Sequence, residues 1–294
     1  MTIEEGIALS RFTTLGTGGR ARAFARPETV DELEEALGYA RERDLMVATI
    51  GLGSNLLVAD EGFDGLVLKL AGELTHVEVD GDLLVAGGGA PNAVALHRAR
   101  AAGLGGLEFA CAIPGTAGGG VWMNAGAYGG DWAGILERAL VVDGEGRHWR
   151  TPDELGLRYR HSDLRHGEVV ARVEFRLTPR PADEIKATIA DLQAQRKAAQ
   201  PTNKRTYGSV FKNPAHELSA GRMLEACGLK GYRIGGAQIS PRHANFIENA
   251  DGARSADAIA LMAEARRRAF ELHGVDLEHE VVFLGPLELP GLTK

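Results

Sequence analysis

Apolar side chains at Val30, Leu33, Leu37 and Ala40 follow the three- and four-residue spacing of one helical face, behind Thr29, Asp31 and Glu32. Acidic residues and threonine suit a helix start, so a helix is expected over 27–43. Short apolar runs at 46–50, 56–58 and 65–70 read as strands. The stretch THVEVDGDLLVAGGG alternates on both sides of Asp80-Gly81, which predicts a hairpin. A helix over 91–102 with Pro91 in its first turn comes next, then strands at 136–142, 148–150 and 169–177. Pro179 and Pro181 punctuate the chain and suggest a boundary. Beyond it the pattern predicts helices over 182–199 and 255–273 and a closing strand over 280–284. Strands and helices do not alternate regularly, which implies an α+β protein of three domains, 1–71, 72–181 and 182–294. No 20- to 50-residue period recurs, which argues against a solenoid or propeller.

Composition changes this picture in one respect. The 39 glycines among 294 residues are about twice the usual share of roughly 7%. They cluster at 16–19, 51–53, 87–89, 103–106 and 115–130, between apolar runs, as expected where backbone packs against a ligand or a neighbouring strand. A hydrophobic share of 44% and a charged share of 25% are those of a folded soluble protein. A net charge of -7, spread along the chain, argues against a nucleic-acid or anionic-membrane partner. The start, MTIEEGIALSRF, does not read as a signal peptide, and no run approaches the roughly 18 apolar residues of a span. Cys111 and Cys227 lie far apart and the histidines are scattered, so reduced thiols, a cytoplasmic location and no metal site are expected.

Two glycine clusters are candidates for chemistry. In GLGSNLLVAD, Gly51, Gly53, Ser54 and Asn55 precede Leu56 between two apolar runs. The stretch reads either as a tight hairpin-like connection or as a nest of backbone N–H groups for an anion. In IPGTAGGGVWMNAGAYGG, Pro114, Gly115 and Thr116 form a turn, and Gly118 and Gly119 begin a segment too rich in glycine to make a stable free helix. Asn124, Ala125 and Gly126 follow with small side chains. A packing loop and a backbone cradle are both compatible with this segment. Two cradles together favour one extended dinucleotide. Neither cluster is a G-x-G-x-x-G turn between strand and helix, so a Rossmann site is not expected.

The pair GLGSN and IPGTAGGGVWMNAGAYG resembles the flavin-binding signature of the UDP-N-acetylenolpyruvoylglucosamine reductase family. YRHS at 159–162, YGSVFKNP at 207–214, GGAQISPRHANFIEN at 235–249 and EHEVVFLG at 278–285 match the same family in order. The resemblance spans about residues 12–285. It implies a two-domain flavin-binding unit like that of the vanillyl-alcohol oxidases, followed by a C-terminal α+β substrate domain. It further implies noncovalent FAD, held by Gly51, Gly53, Ser54, Asn55, Leu56, Pro114, Gly115, Thr116, Gly118, Gly119, Asn124, Ala125 and Gly126. NADPH is the implied co-substrate. The implied reaction, in peptidoglycan precursor synthesis, reduces the enolpyruvyl ether of UDP-N-acetylglucosamine to the lactyl ether, UDP-N-acetylmuramate. No obligate protein partner is implied.

Such a reaction builds negative charge beside the enolpyruvyl carboxylate, where a cation and a hydrogen-bond donor are needed in advance. By resemblance these are Arg160, a planar fork suited to a carboxylate, and Glu280. Taken alone, Arg160 reads as a surface arginine and Glu280 as the edge of a solvated strand. Glu280 precedes Val281, Val282, Phe283 and Leu284, so partial burial could keep its carboxyl protonated. Ser209 matches the family's proton-donating serine, although a serine after glycine is ordinarily a turn residue. Tyr128, Asn213 and His243 are the implied contacts to the sugar nucleotide, and Lys212 is a nearby cation for its diphosphate. The chain departs from one branch of the family in running from 177 straight into the helix at 182, which leaves no space for an inserted tyrosine loop. A flavin oxidase of the same fold acting on an alcohol or sugar is the alternative enzyme. A sugar-nucleotide sensor would be the non-enzyme, but Ser209 and Glu280 are both present.

Overall fold

The structure, a computed structural model, describes residues 1–292; 293 and 294, the end of the expected third domain, lie outside the described residues. The chain forms two compact units that alternate along the sequence. The first takes residues 1–5, 23–52 and 65–196, and the second takes 6–22, 53–64 and the stretch from 197 onward. The GLGSN segment is divided between them after Leu52.

In the first unit, helix α1 (Val30–Glu42) buries Leu33, Ala36, Leu37 and Ala40. The Thr29 hydroxyl accepts the Glu32 N–H at 3.1 Å, and the Glu32 carboxylate accepts the Glu28 N–H at 2.7 Å. These bonds satisfy donors that the first helical turn leaves open. The strand Met46–Thr49 runs parallel to Phe63–Leu68, with Val47 opposite Leu66. A five-stranded antiparallel sheet follows in the order Gly146–Arg150, Leu136–Asp143, Val169–Arg176, Leu83–Gly87, Val77–Asp80. Its hairpin forms as expected, with Asp80 opposite Leu83. The two-residue loop is Gly81–Asp82, one position later than the Asp80-Gly81 pair suggested.

Helices α2 (Asn92–Ala101) and α3 (Ala117–Met123) and the start of α4 (Ala182–Ala199) share a core with this sheet. Ile185 and Ile189 of α4 are buried in that core. Val142, Val169 and Ala171 of the sheet are buried instead with Leu33 and Leu37 of α1. Apolar burial therefore continues across residue 71 and across the proline-marked stretch at 179–181.

Helix α3 is a difference from the sequence reading. Its glycines make a free helix poor, yet packing secures it here. The Gly118 N–H donates to the Gly88 carbonyl at 2.8 Å, and a Cβ on Gly120 would overlap the Trp132 ring. Trp132 is 1% exposed and lies edge-on to Phe109 and Phe175, at 5.3 and 6.0 Å between centroids. Glycine lets the helix backbone reach the indole, and burial outweighs propensity.

In the second unit, α5 (Ala220–Ala226) and α6 (Ser255–His273) accompany a four-stranded antiparallel sheet. Its order is Thr206–Ser209, Phe246–Asn249, Ala237–Ile239, Arg233–Ile234. These strands are two to four residues long, too short for periodicity to reveal. The Asp60 carboxylate accepts the Ser255 and Ala256 N–H groups at 2.9 and 3.1 Å, which anchors the start of α6. Leu56–Val58 runs parallel to Val282–Leu284. The hairpin reading of 51–55 is thus overturned, because the strands on its two sides pair with different partners. Among the described residues no helix is long and apolar enough to cross a membrane.

Gly120→Ala should cost about 1–3 kcal/mol, the usual range for overpacking a filled core. Denaturant titration of the purified variant checks this, and unchanged stability would mean that the indole can yield.

Candidate active site

Gly51 and Thr116, one from each glycine cluster, meet inside the first unit. A Cβ on Gly51 would lie 2.7 Å from the Thr116 Oγ1, so Gly51 sits against the start of α3. The Gly51 carbonyl accepts Lys69 Nζ at 2.7 Å, and burial holds the Lys69 ammonium below the ordinary lysine range. Lys69 went unremarked in the sequence; its signal is a lone cation within the apolar run GLVLKLA. Thr116, buried, caps α3 by accepting the Gly119 N–H at 3.3 Å. Beside this turn lies a cavity of about 390 Å³ whose lining includes Leu52, His97, Arg100, Cys111, Gly115 and Arg196. Burial raises the Cys111 thiol above its usual range, which keeps it protonated and a poor nucleophile at neutral pH.

Gly53 and Gly119 play different parts. Gly53 has φ +66°, and a Cβ there would overlap the Phe12 carbonyl oxygen. Backbone crossing backbone therefore requires glycine at this position, as in the reading of the clusters as packing against neighbouring chain. Gly119 is exposed, and within 4 Å its Cβ would meet only Thr116 Oγ1, at 3.3 Å. That open face at the mouth of a backbone turn fits a flat or anionic group.

Arg160 stands in a two-residue turn closed by the paired residues Arg158 and His161, with N–H···O bonds of 3.1 and 3.0 Å. Its φ of +52° is left-handed, an uncommon conformation for a residue with a side chain. Three bonds hold the turn to the end of α3. Asn124 Nδ2 donates to the Arg158 carbonyl at 3.0 Å, Ser162 Oγ donates to the Trp122 carbonyl at 2.6 Å, and Arg160 Nη2 donates to the Gly126 carbonyl. Asn124 Oδ1 accepts the Ala133 N–H at 2.9 Å. Asn124 is 1% exposed and both ends of its amide are bonded to backbone. Ala125 extends the same segment through its N–H to the Gly120 carbonyl and its carbonyl to the Trp132 N–H. Tyr128, 44% exposed, forms with Gly129 the positive-φ turn between Gly126–Ala127 and Gly130–Asp131. Pro114 is exposed and Gly118 buried.

The second unit brings together the other half of the implied site. Ser209 ends the strand Thr206–Ser209 opposite Phe246, after an irregularity at Gly208, whose φ is +84°. The next residue, Val210, accepts the Glu280 N–H at 2.8 Å, and the Lys212 N–H donates to the Glu278 carbonyl at 2.9 Å. Ser209 and Glu280 therefore stand on adjacent paired segments, each half-buried. Asn55 joins them to the glycine turn: its Nδ2 donates to the Glu280 carbonyl at 3.1 Å, and its own carbonyl accepts the Val282 N–H at 3.0 Å. Leu56 then pairs with Val282. On the other side, the Thr14 N–H donates to the Gly53 carbonyl at 3.0 Å and its hydroxyl donates to the Thr206 carbonyl at 2.6 Å. A Cβ on Gly208 would lie 3.4 Å from the Ser54 carbonyl.

Asn245, buried at 4% exposure, clamps Phe211 by accepting its N–H at 2.9 Å and donating to its carbonyl at 2.8 Å. Thr14 and Asn245 escaped the sequence reading, although TTLGTGG and GGAQISPRHANFIEN contain them. Lys212 Nζ rests 2.6 Å from Glu278, and Asn213 Oδ1 accepts the Ala220 N–H at the start of α5. His243 lies edge-on to Phe246 at 4.9 Å, and its Nδ1 accepts the Asn245 N–H at 3.2 Å. Burial, with Lys230 nearby, lowers its pKa, so the ring is neutral at pH 7. Tyr128 and Arg160 belong to the first unit, and Ser209, Lys212, Asn213, His243 and Glu280 to the second.

Comparison with known proteins gives this arrangement a class. Residues 21–152 match the model of an FAD binding domain, which makes the chain a flavoprotein of that fold. Residues 200–284 match the model described as UDP-N-acetylenolpyruvoylglucosamine reductase, C-terminal domain. A curated reductase of that name from Symbiobacterium thermophilum is 43% identical over 94% of this chain and 90% of its own. One from Anaeromyxobacter dehalogenans is 43% identical over 95% of this chain and 86% of its own. The crystal structure of the reductase from Thermus caldophilus covers 97% of this chain and 100% of its own at 38% identity, with a TM-score of 0.85. The chain belongs to the UDP-N-acetylenolpyruvoylglucosamine reductase family.

Gly119→Leu should leave the fold intact, since it adds a good helix former at an exposed position, while flavin per protein falls. Thermal melting and the visible-to-ultraviolet absorbance ratio check the two halves; retained flavin would place the cofactor elsewhere. For His243, an NMR titration should give a pKa below the ordinary 6.5. The unfolded chain then binds its proton first as pH falls, so this group weakens folding below about 6.5 and contributes no penalty above it.

Proposed function

We propose that the chain reduces the enolpyruvyl ether of UDP-N-acetylglucosamine enolpyruvate to the lactyl ether of UDP-N-acetylmuramate, with FAD bound noncovalently and NADPH as reductant, in the cytoplasm. The observation that carries this reading is the joining of Ser209, Glu280 and the GLGSN turn by the bonds of Val210 and Asn55. FAD fits the open face at Gly119 and the turn of Gly51 and Thr116, and residues 1–71 and 72–181 together would hold it. When bound, FAD supplies hydride from NADPH to the methylene carbon of the enolpyruvyl group.

The residues of the chain do the rest. Arg160 holds the enolpyruvyl carboxylate in its planar fork, exchanging the Gly126 carbonyl for the substrate. Ser209 Oγ delivers the proton to the carbon that bears ether and carboxylate. Glu280, as a carboxylic acid, donates a hydrogen bond where negative charge gathers as the double bond is lost. Residues of the stretch 182–294 take the sugar nucleotide, with Asn213 and His243 as contacts together with Tyr128. Lys212 reaches the diphosphate by leaving Glu278, an exchange between two anions that changes its charge environment little. Neither nucleic acid nor membrane nor another protein enters this scheme.

Removal of the proton donor separates the two halves of turnover. Ser209→Ala should still lose its yellow absorbance at the normal rate on mixing with NADPH. Recovery of colour on adding the enolpyruvyl substrate should slow by about 10²- to 10⁴-fold, the usual contribution of a positioned acid. Ser209→Cys should regain part of that rate, and Glu280→Ala should be slower than Glu280→Gln, which keeps a donor. Recovery at the wild-type rate in Ser209→Ala would exclude Ser209 as donor. Steady oxygen consumption with simple alcohols or sugars, and none of this turnover, would overturn the whole reading.

Among the described residues no separate Rossmann-type domain for NADPH is present. Both substrates should therefore use one site in turn, and initial-rate plots should be parallel, with inhibition by the sugar nucleotide at high concentration. Intersecting lines would refute a shared site.

A further inference from the structure

The asparagine that ends GLGSN has a side chain with a job apart from the backbone turn it belongs to. Its amide reaches 225 positions along the sequence to the Glu280 carbonyl at 3.1 Å. Its carbonyl accepts the Val282 N–H at 3.0 Å. Between them these two bonds grip the main chain on both sides of Val281, which is 1% exposed and fixed in the core of the second unit. The opposite edge of the same segment is held by the Glu280 N–H to Val210, the residue after Ser209. The peptide groups at Glu280 are thus held from two directions, by Asn55 on one side and by the Ser209 segment on the other. Glu280 lies between the antiparallel bridge of His279 to Phe211 and the strand Val282–Leu284, at the point where the segment passes from one set of partners to the other.

We propose that Asn55 is a positioning residue for Glu280, setting the carboxyl against the Ser209 segment through the Glu280 carbonyl. A side chain pinned at its own main chain loses freedom about the backbone, so its carboxyl occupies one region in advance of substrate. Alanine at position 55 leaves the backbone turn and the Val282 bond in place and frees the Glu280 carbonyl. Aspartate keeps the shape of asparagine but supplies no N–H donor to that carbonyl.

The inference rests on Glu280 acting in the proton-transfer half of turnover, and the experiment separates the two. Flavin content, the rate of bleaching by NADPH and the rate of colour recovery with the enolpyruvyl substrate are measured for Asn55→Ala, Asn55→Asp and Glu280→Ala. The Asn55 variants should keep at least 80% of the wild-type flavin and bleach within about twofold of wild type. Colour recovery should slow at least tenfold, with a changed pH dependence, because the carboxyl samples new surroundings. A second readout needs no turnover. In flavin-free protein, hydrogen exchange in the peptide spanning 278–284 should speed up at least fivefold in Asn55→Ala, while the peptide spanning 255–273 is unchanged.

Loss of flavin in both Asn55 variants, or equal slowing of bleaching and recovery, would assign the side chain to the cradle alone and overturn the proposal. Recovery within twofold of wild type would overturn it as well. If Glu280→Ala recovers colour at the wild-type rate, the role given to Glu280 fails first. Slow recovery in Glu280→Ala beside normal recovery in both Asn55 variants refutes the positioning role alone.

Discussion

The hydrogen bond from Asn55 to the Glu280 carbonyl ties a glycine-rich turn near the start of the chain to a segment close to its end. Around it, Thr14 grips Gly53 and Thr206, and Val210 accepts from Glu280. All of these bonds are to main-chain groups. Buried peptide groups must be paired, so the identity of each anchoring side chain follows from where an unpaired carbonyl or N–H would otherwise stand. Ser209 and Glu280 take their positions from this lattice. Gly53 is the condition for all of it, because any Cβ there would collide with the Phe12 carbonyl.

A comparable economy governs Arg160. Its turn carries a non-glycine residue at positive φ, a conformation that needs support from outside the turn. Asn124 and Ser162 give that support, each by a bond to main chain, and the guanidinium rests on the Gly126 carbonyl. Asn124 is itself left-handed, at φ +38°, where asparagine is among the few residues tolerated. The small residues of the 113–130 stretch therefore have two physical causes. Gly120 admits the Trp132 ring, and Gly119 leaves its own face open.

Much of this was legible in the residues. The helices Val30–Glu42, Asn92–Ala101, Ala182–Ala199 and Ser255–His273 follow from spacing and caps, and the hairpin at 77–87 from alternation and a turn dipeptide. The family was legible from six motifs in order. The short strands of the second unit were not, because two to four residues carry no period. Helix α3 was not, because propensity argues against it and the Gly88 carbonyl and the Trp132 indole that secure it lie elsewhere in the sequence. Thr14 and Asn245 were silent for a different reason. Each acts by bonding to main chain far away in sequence, and such a partner has no side-chain signature. The bonds that the Asn55 and Asn124 amides make to protein backbone were silent for the same reason.

The alternation of the chain between two compact units has a consequence for synthesis. The core of the second unit includes Leu15 and Leu57 as well as Tyr207, Leu261 and Val281. A ribosome releases the first two long before the last, so Leu15 and Leu57 have no completed core to enter until almost the entire polypeptide has emerged. The first unit needs nothing beyond Arg196 and can pack while translation continues. Contacts that span more than two hundred residues also close slowly. The nascent protein therefore passes through a stage with one finished half and one set of early apolar residues still waiting, and that interval is when chaperones would meet it.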